Sequence, residues 1–301
     1  MLSIIVVSYN TKNMTMECLK SVIEQTNKVH FELIVFDNSS TDGSADALES
    51  EFGSKIKLIR SKDNLGFATG NNRAIEQATG ELILLLNPDT IVLEHALEQL
   101  VEFSDENPLN RIWGGRTLFS DRSLNPSSCW SKQTLWSLFC QAIGLTSIFR
   151  HLTLFNPEGI GGWNRDGVRE VDIVSGCFFL IEASLWSELD GFNEAFFMYG
   201  EEADLCLRAK HFGARPIVSS MATIIHYGGA SETVRSDKLK KLIKAKSLLI
   251  EQHFPKTTRV LGKTLLLLWP ASRYLFHLFW APFSNNSKVK SQIWRDVLFK
   301  N

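Results

Sequence analysis

The chain lacks the short signatures that mark most nucleotide, metal and redox sites. Its five cysteines are Cys18, Cys129, Cys140, Cys177 and Cys206. The number is odd and no C-x-x-C occurs, so neither a disulfide framework nor a zinc site is signalled, and the pattern suits a reducing compartment. No G-x-G-x-x-G follows the first apolar run; the residues there are YNTKNM, which argues against a dinucleotide site of the Rossmann kind. The GKT at Gly262 lacks the earlier glycine of a P-loop, because position 257 is Thr. A G-x-S-x-G nucleophile turn is also missing. The opening MLSIIVVSYN has no basic segment and only a short apolar run, so it reads as a first strand and not as a signal peptide.

What is present is ordinary globular protein. Of the 301 residues 44% are hydrophobic and 22% charged, enough for one large or two modest domains. The net charge of -1 hides a segregation. From Thr233 to Asn301 there are 14 Lys and Arg against 3 Asp and Glu. An acidic body with a basic tail points to an anionic partner for the tail, nucleic acid or a membrane surface.

The first half alternates short apolar runs with helical patterns. SIIVVS (3–8), FELIVF (31–36), KIKLI (55–59) and ELILLL (81–86) read as strands. Between and after them, 14–25, a short segment capped by Asp42, the NLGFATGNNRAIEQATG stretch and 93–106 have helical spacing. This alternation predicts βαβ units and a mostly parallel sheet covered on both faces. A further strand is expected over 171–181 and a helix from about Ala183. The stretch 133–155 is aromatic and apolar, either a core helix pair or an insertion that covers a site or touches lipid.

Ligands of such sheets bind beyond the carboxyl ends of the strands. Those ends are Ser8-Tyr9-Asn10, Asp37-Asn38, Asn64 and Asn87-Pro88-Asp89, and together they outline a polar crevice. Asp37 can accept the imino N–H of a pyrimidine or close an Asx-turn. Asp89, with Asn87 two residues before it, offers hard oxygen ligands that suit Mg²⁺ or Mn²⁺. In GEEADLCLR, Glu201, Glu202 and Asp204 open a helix. Acids there favour the helix dipole by about 0.3–1 kcal/mol each. Three in four residues exceed what a cap requires and point to a general base. His226 ends an apolar β-branched run and is a candidate metal ligand.

VVSYNTKNMTMECLKSV, DNSSTDGS, NLGFATGNNRAI, LLLNPDT and GFNEAFFMYGEEADLCLRAKHFG occur in the order seen in bacterial family 2 glycosyltransferases. Over residues 2–229 the chain most resembles the rhamnosyltransferase-type enzymes of O-antigen and capsule synthesis. The resemblance implies an α/β GT-A fold, a nucleotide-diphospho-sugar donor, a divalent ion (Mg²⁺ or Mn²⁺) and inversion at the anomeric carbon. Carried over residue by residue, Ser8, Tyr9, Asn10 and Asp37 would hold the nucleoside. Asn64, Gly66 and Asn71 would line the nucleotide-sugar side, and the strand-end residues Asn38 and Asn87 join them as expected donor contacts. Asp89 would be the metal-binding acid of a D-x-D-like motif, with His226 a further ligand. Glu202 would be the catalytic base, with Glu201 and Asp204 able to share the task. Two positions depart from the family pattern: Asn87 replaces the first acid of D-x-D, and Glu202 stands where Asp is frequent.

By this resemblance the leading donor is dTDP-L-rhamnose, with a UDP-hexose second, and the acceptor is a polyprenyl-diphosphate-linked or glycan hydroxyl. A non-catalytic sugar-nucleotide-binding protein of the same fold is the alternative, and the acids at 201–204 argue against it. The expected division is a GT-A domain over 1–230, with an apolar insertion at about 130–156, and a basic, amphipathic helical C-terminal region over 231–301. In 259–283, Arg259, Lys263, Arg273 and His277 fall on one helical stripe with Leu266 and Pro270, opposite Leu, Phe and Trp. Such a helix is expected to lie on an anionic membrane surface with its cations at the headgroups, and Pro270 to kink or break it. No nucleic-acid partner is expected. The expected location is the cytoplasm, peripherally on the inner face of the cell membrane.

Overall fold

The computed structural model describes residues 1–228 and 234–300. In chain order the elements are β1 (Leu2–Ser8), α1 (Lys12–Gln25), β2 (Phe31–Asp37), α2 (Ser44–Phe52), β3 (Lys57–Arg60), α3 (Gly66–Ile75), β4 (Leu82–Leu86), β5 (Thr90–Val92) and α4 (Ala96–Glu106). There follow β6 (Ile112–Leu118), β7 (Leu124–Asn125), β8 (Cys129–Trp130), α5 (Leu135–Ile143), α6 (Leu145–Ile148), β9 (Val168–Glu170), β10 (Ile173–Val174) and β11 (Phe178–Glu182). The chain closes with α7 (Ala183–Glu188), α8 (Glu201–Ala209), β12 (Ile217–His226), α9 (Arg235–His253), α10 (Lys256–Trp280) and α11 (Asn285–Phe299). They form two compact units, Met1–Trp130 with Asn164–Ser231, and Ser131–Trp163 with Glu232–Asn301. The apolar stretch 133–155 therefore belongs with the C-terminal helices. The division expected at residues 230–231 lies outside the described residues.

The first unit is built on one sheet with strand order β3-β2-β1-β4-β11-β6-β12-β5. β3, β2, β1 and β4 run parallel, as the alternating pattern predicted. β11 runs antiparallel between β4 and β6, and β12 pairs parallel with β6 and antiparallel with β5. The continuous apolar runs have a direct cause. Leu2, Ile4 and Val6 pack with Cys18, Leu19 and Val22 of α1 and Leu48 of α2. The opposite face of β1 and β2 meets α3, where a Cβ on Gly70 would stand 3.1 Å from Val7 and 3.5 Å from Phe36. With both faces covered, the middles of β1, β2 and β4 are apolar.

Three expectations are modified. Asp42 does not occupy the cap position of α2; Gly43 does, in the left-handed region. The Asp42 carboxylate instead accepts from Ser44 N and, across the loop, from Lys12 N, both at 3.0 Å, and so ties the starts of α2 and α1. The strand expected over 171–181 is interrupted at Ser175–Cys177, and β10 leaves the main sheet to pair with β8.

The third modification concerns α10. It runs through Pro270 without a break, although proline removes the helical donor to the Leu266 carbonyl. Leu266 and Pro270 are its buried side, and Leu266 packs with Leu138 and Ile250 in the small core of the second unit. The cationic stripe lies on this inner side and not outward. Arg259 and Lys263 both pair with Glu251 of α9, and Arg273 donates to Gln141 O and Ser147 Oγ, each at 3.2 Å. Inside the same unit Lys246 of α9, almost fully buried, pairs with Glu158.

Leu84, fully buried, sits in register with Ile4 of β1 and Leu180 of β11. Leu84→Ala should cost about 2–5 kcal/mol of unfolding free energy, read by urea denaturation followed through intrinsic fluorescence. A loss under about 1 kcal/mol would contradict this packing.

Candidate active site at the carboxyl edge of the sheet

The strand ends hold the expected residues, but not all of them face outward. Ser8 is fully buried, and its hydroxyl bonds Thr11 and Thr15 at 3.2 and 2.9 Å. This network fixes the turn into α1. Tyr9 beside it is exposed. Asn10 adopts a left-handed φ of 51°; its side-chain oxygen accepts from Thr41 N at 2.8 Å while its own N–H donates to Ser40. Asn10 thus joins the loops after β1 and β2.

Asn38 is a clamp. Its backbone N–H donates to Ser8 O at 2.8 Å, its amide donates to Asn64 Oδ1 and Gly66 O at 3.1 Å, and its oxygen accepts from Leu65 N at 2.8 Å. The Asn64 oxygen also accepts from Gly66 N. Asn71 is buried and donates to Phe67 O one turn back in α3. These amides shape the loop before α3. Gly66 there has φ +81°, and a Cβ on it would meet the Phe197 carbonyl at 2.4 Å; only glycine accommodates both.

Asp37 is different. It is 3% exposed, and Oδ2 accepts from Ser40 N at 3.1 Å, yet Oδ1 has no partner. A buried acceptor without a donor is costly, about 1–3 kcal/mol or more, and here it lies at the crevice end of β2.

The end of β4 carries the second group. The register of β5 with β12 sets Thr90 opposite His226 and brings Asp89 Oδ1 to 3.3 Å from His226 Nε2. Asn87 Nδ2 lies 3.4 Å from the same nitrogen. Asn87 Oδ1 and His226 Nδ1 are buried without partners. Burial opposes charge on both members of the pair. The contact nevertheless holds the Asp89 carboxyl below its usual range, with the Gly228 amide assisting. Cys177 and Asp89 likewise raise the His226 imidazole above its ordinary value.

Among the described residues no three His, Cys, Asp or Glu side chains are grouped to hold a metal ion. Asp89 and His226 meet here as a pair, with the Asn87 amide beside them.

The third group opens α8. Tyr199 and Gly200 are both left-handed, with φ of 69° and 88°, and turn the chain into the helix. Glu201 is 3% exposed and Glu202 half-buried, and each has Oε2 without a partner. Burial raises both carboxyls. The Glu202 charge raises Glu201 further, whereas the backbone amides of Gly200, Gly176 and Ala203 draw Glu202 part of the way back. Of the two, Glu201 is raised the further. Asp204 stands apart from them in role. It pairs with Arg208 Nε at 2.7 Å, and Arg208 donates to Leu189 O and Gly191 O, so Asp204 anchors the loop before α8.

Residues not singled out from sequence join these groups. Phe67 N donates to Phe197 O at 2.8 Å, tying the start of α3 to the loop before α8. Asn72 accepts from Phe192 N and donates to Phe192 O, both at 2.9 Å. Gly176 lies against Glu202, its Cβ direction 3.9 Å from the Glu202 Cβ. The next carbonyl, Cys177 O, accepts from Asn87 N at 3.2 Å. The break in the apolar run at SGC was the available signal for this segment.

A parallel-led α/β sheet with these polar strand ends, an Asp–His pair and a carboxylate at a helix start defines a GT-A-type transferase. Solved structures share the fold. The mannosyltransferase PcManGT from Pyrobaculum calidifontis, in complex with GDP-Man and Mn²⁺, superposes with a TM-score of 0.59 at 15% identity, covering 100% of this chain and 87% of that one. S. aureus TarS 1-349 gives 0.53 at 17%, covering 99% and 90%. The model of the family "Glycosyl transferase family 2" matches residues 3–179, and the chain belongs to that family.

Among curated proteins, the O-antigen biosynthesis protein RfbC of Myxococcus xanthus is 25% identical over 238 residues, 76% of this chain and 17% of that protein. The putative teichuronic acid biosynthesis glycosyltransferase TuaG of Bacillus subtilis is 32% identical over 122 residues, 40% and 48% of the two chains. The N-acetylglucosaminyl-diphospho-decaprenol L-rhamnosyltransferase of Mycobacterium tuberculosis is 24% identical over 214 residues, 65% and 66%. The matches thus span less than half the length of RfbC and TuaG.

The Glu201 carboxyl yields a stability prediction. Its folded value lies above the ordinary carboxylate value of about 4.3, so its contribution to stability is complete below that pH and is lost as pH rises through the folded value. Glu201→Gln should therefore melt higher than the parent at neutral pH, and the difference should vanish near pH 4. A variant less stable than the parent at neutral pH would show that Glu201 has a charged partner.

Proposed function

We propose that the chain is an inverting glycosyltransferase that moves a sugar from a nucleotide-diphospho-sugar to a hydroxyl of a lipid-linked or polysaccharide acceptor in cell-surface glycan synthesis. One observation carries the reading. Four buried acceptor oxygens without donors, Asp37 Oδ1, Asn87 Oδ1 and the Oε2 atoms of the adjacent Glu201 and Glu202, stand at three separate points of the strand-end region. Buried polar atoms in folded proteins are almost always paired. The three points match what a nucleotide sugar and its acceptor bring: an imide N–H, a cation and a hydroxyl proton.

Asp37 accepts the imide N–H of a pyrimidine, with Tyr9 and Asn10 beside it. Asp89, His226 and Asn87 would hold a divalent cation, which when bound supplies positive charge against the departing diphosphate. Glu202 takes the proton of the acceptor hydroxyl within hydrogen-bond reach, about 2.6–3.2 Å. The acceptor oxygen forms its bond to the anomeric carbon as the bond from that carbon to the diphosphate oxygen breaks on the opposite side, which inverts the centre. Glu201, protonated beside it, keeps a second negative charge away from the base.

The leading donor is dTDP-L-rhamnose, in line with the rhamnosyltransferase named among the relatives. A UDP-hexose is the second reading, favoured by the likeness to an Escherichia coli UDP-Glc-dependent glucosyltransferase, 26% identical over 159 residues. A lipid-linked acceptor would be met at the inner face of the cell membrane. The five cysteines, all free and buried, are compatible with the reducing cytoplasm on that side.

Glu202→Gln should bind donor as the parent does and lose at least about 10²-fold in turnover, the low end for general-base catalysis. Retention of most turnover at saturating acceptor would remove Glu202 from the role. Asp89→Ala should weaken binding of dTDP or UDP and abolish its dependence on Mg²⁺ or Mn²⁺, measured by calorimetric titration with and without the ion. Equal, metal-independent binding by both proteins would overturn the cation site.

A further inference from the structure

The second unit leaves a large apolar surface uncovered. Most of the large apolar side chains exposed in the chain belong to it. On α10, Leu268, Leu275 and Phe279 lie on the side opposite the buried Gly262, Leu266 and Pro270, with Phe276 on its flank. Phe276 is 57% and Phe279 68% exposed. α5 repeats the pattern. Trp136, Phe139 and Ile143 are exposed at helical spacing, while Leu138 and Ala142 are buried. The two helices are joined side by side, because Ser272 Oγ donates to Ala142 O and Arg273 to Gln141 O.

Charge distinguishes among the possible occupants. Neither α5, α6 nor α10 contains an acidic residue. Arg259, Lys263 and Arg273 of α10 are turned inward and held by Glu251, Gln141 and Ser147, so its outer side is mainly apolar, with Thr264 the exposed polar residue at its middle. The flanking helices α9 and α11 are rich in lysine, with Lys238, Lys240, Lys241 and Lys244 on α9 and Lys288 and Lys290 on α11. A second copy of the same basic unit would be repelled. A bilayer with anionic headgroups supplies both an apolar interior for Phe and Leu and a negative surface for the lysines. No described helix is long and apolar enough to cross a membrane.

We propose that the outer side of α10, with the adjoining exposed side of α5, is a docking surface for an anionic lipid bilayer. α10 lies along the headgroup region and inserts Phe276 and Phe279 below it, while the lysines of α9 and α11 draw the unit to the surface. The division of labour is the reverse of the one read from the helix alone: the cations of α10 build the unit, and its neighbours supply the charge. The proposal rests on this surface and not on the choice of donor, acceptor or base.

The test is flotation of the full chain with vesicles of equal parts phosphatidylglycerol and phosphatidylcholine, and with phosphatidylcholine alone. The parent should float with the anionic vesicles, much less with the neutral ones, and less as salt is raised. Phe276→Glu/Phe279→Glu should lower partitioning about tenfold or more, with melting temperature and nucleotide binding unchanged. Ile143→Glu should lower it in the same direction. Failure of the parent to float with anionic vesicles would overturn the proposal, as would equal flotation of the double variant. Self-association of the parent that the double variant abolishes, without vesicle binding, would assign the surface to a second copy and also overturn it.

Discussion

The site depends on one topological constraint, the insertion of β11 antiparallel between β4 and β6. In a purely parallel sheet every strand would end at the crevice edge, and none would begin there. Because β11 runs the other way, its starting segment Ser175–Cys177 lies against the end of β4. Asn87 N bonds Cys177 O, Gly176 lies against Glu202, and Cys177 faces His226. Asn87, His226 and Glu202, which come from distant parts of the chain, are thereby referred to the same three residues. Gly176 is suited to the place, since a Cβ there would already stand 3.3 Å from the Phe67 ring.

Polar residues around this edge divide into two kinds. Ser8, Asn38, Asn71 and Asn72 have their hydrogen bonds directed inward and hold loops in position. Asp204 does the same through Arg208. Asp37, Asn87 and Glu202 each retain an acceptor oxygen that the fold does not satisfy. An unmet buried acceptor costs stability, so these three, at the edge of the sheet, are places where a ligand has most to offer. The raised carboxyls at the start of α8 follow the same logic, since burial that penalises ionisation also makes Glu202 a stronger base.

The smaller unit solves a different problem. Its core is narrow, built on Leu138, Ile250 and Leu266 with partly buried neighbours such as Trp269 and Phe254. Ion pairs and hydrogen bonds extend it: Lys246 with Glu158, Glu251 with Arg259 and Lys263, and Arg273 with the end of α5. Those contacts use the polar side of α10 for assembly and leave its apolar side without a partner in the described residues.

Much of the fold was legible in the sequence, because apolar runs of strand length alternating with helical spacing admit few arrangements other than a parallel sheet covered on both faces. Polar residues at the strand ends and three acids at a helix start were equally legible, being local patterns. Tertiary structure alone decided which of those residues face the crevice. Ser8 and Asn38 look like ligands in the sequence, but hydrogen bonds to Thr15 and Gly66 turn them into scaffold. Asp89 and His226, 137 positions apart, meet only because β5 pairs with β12. Glu201, Glu202 and Asp204 form one acidic cluster in the sequence, and only the fold separates them, by burial and by the pairing of Asp204 with Arg208. The periodicity of α10 defined two faces but could not say which is inside. That choice belongs to α9 and α5, whose acceptors Glu251 and Gln141 claim the cations, because a helix is oriented by the partners its side chains find and not by its own pattern.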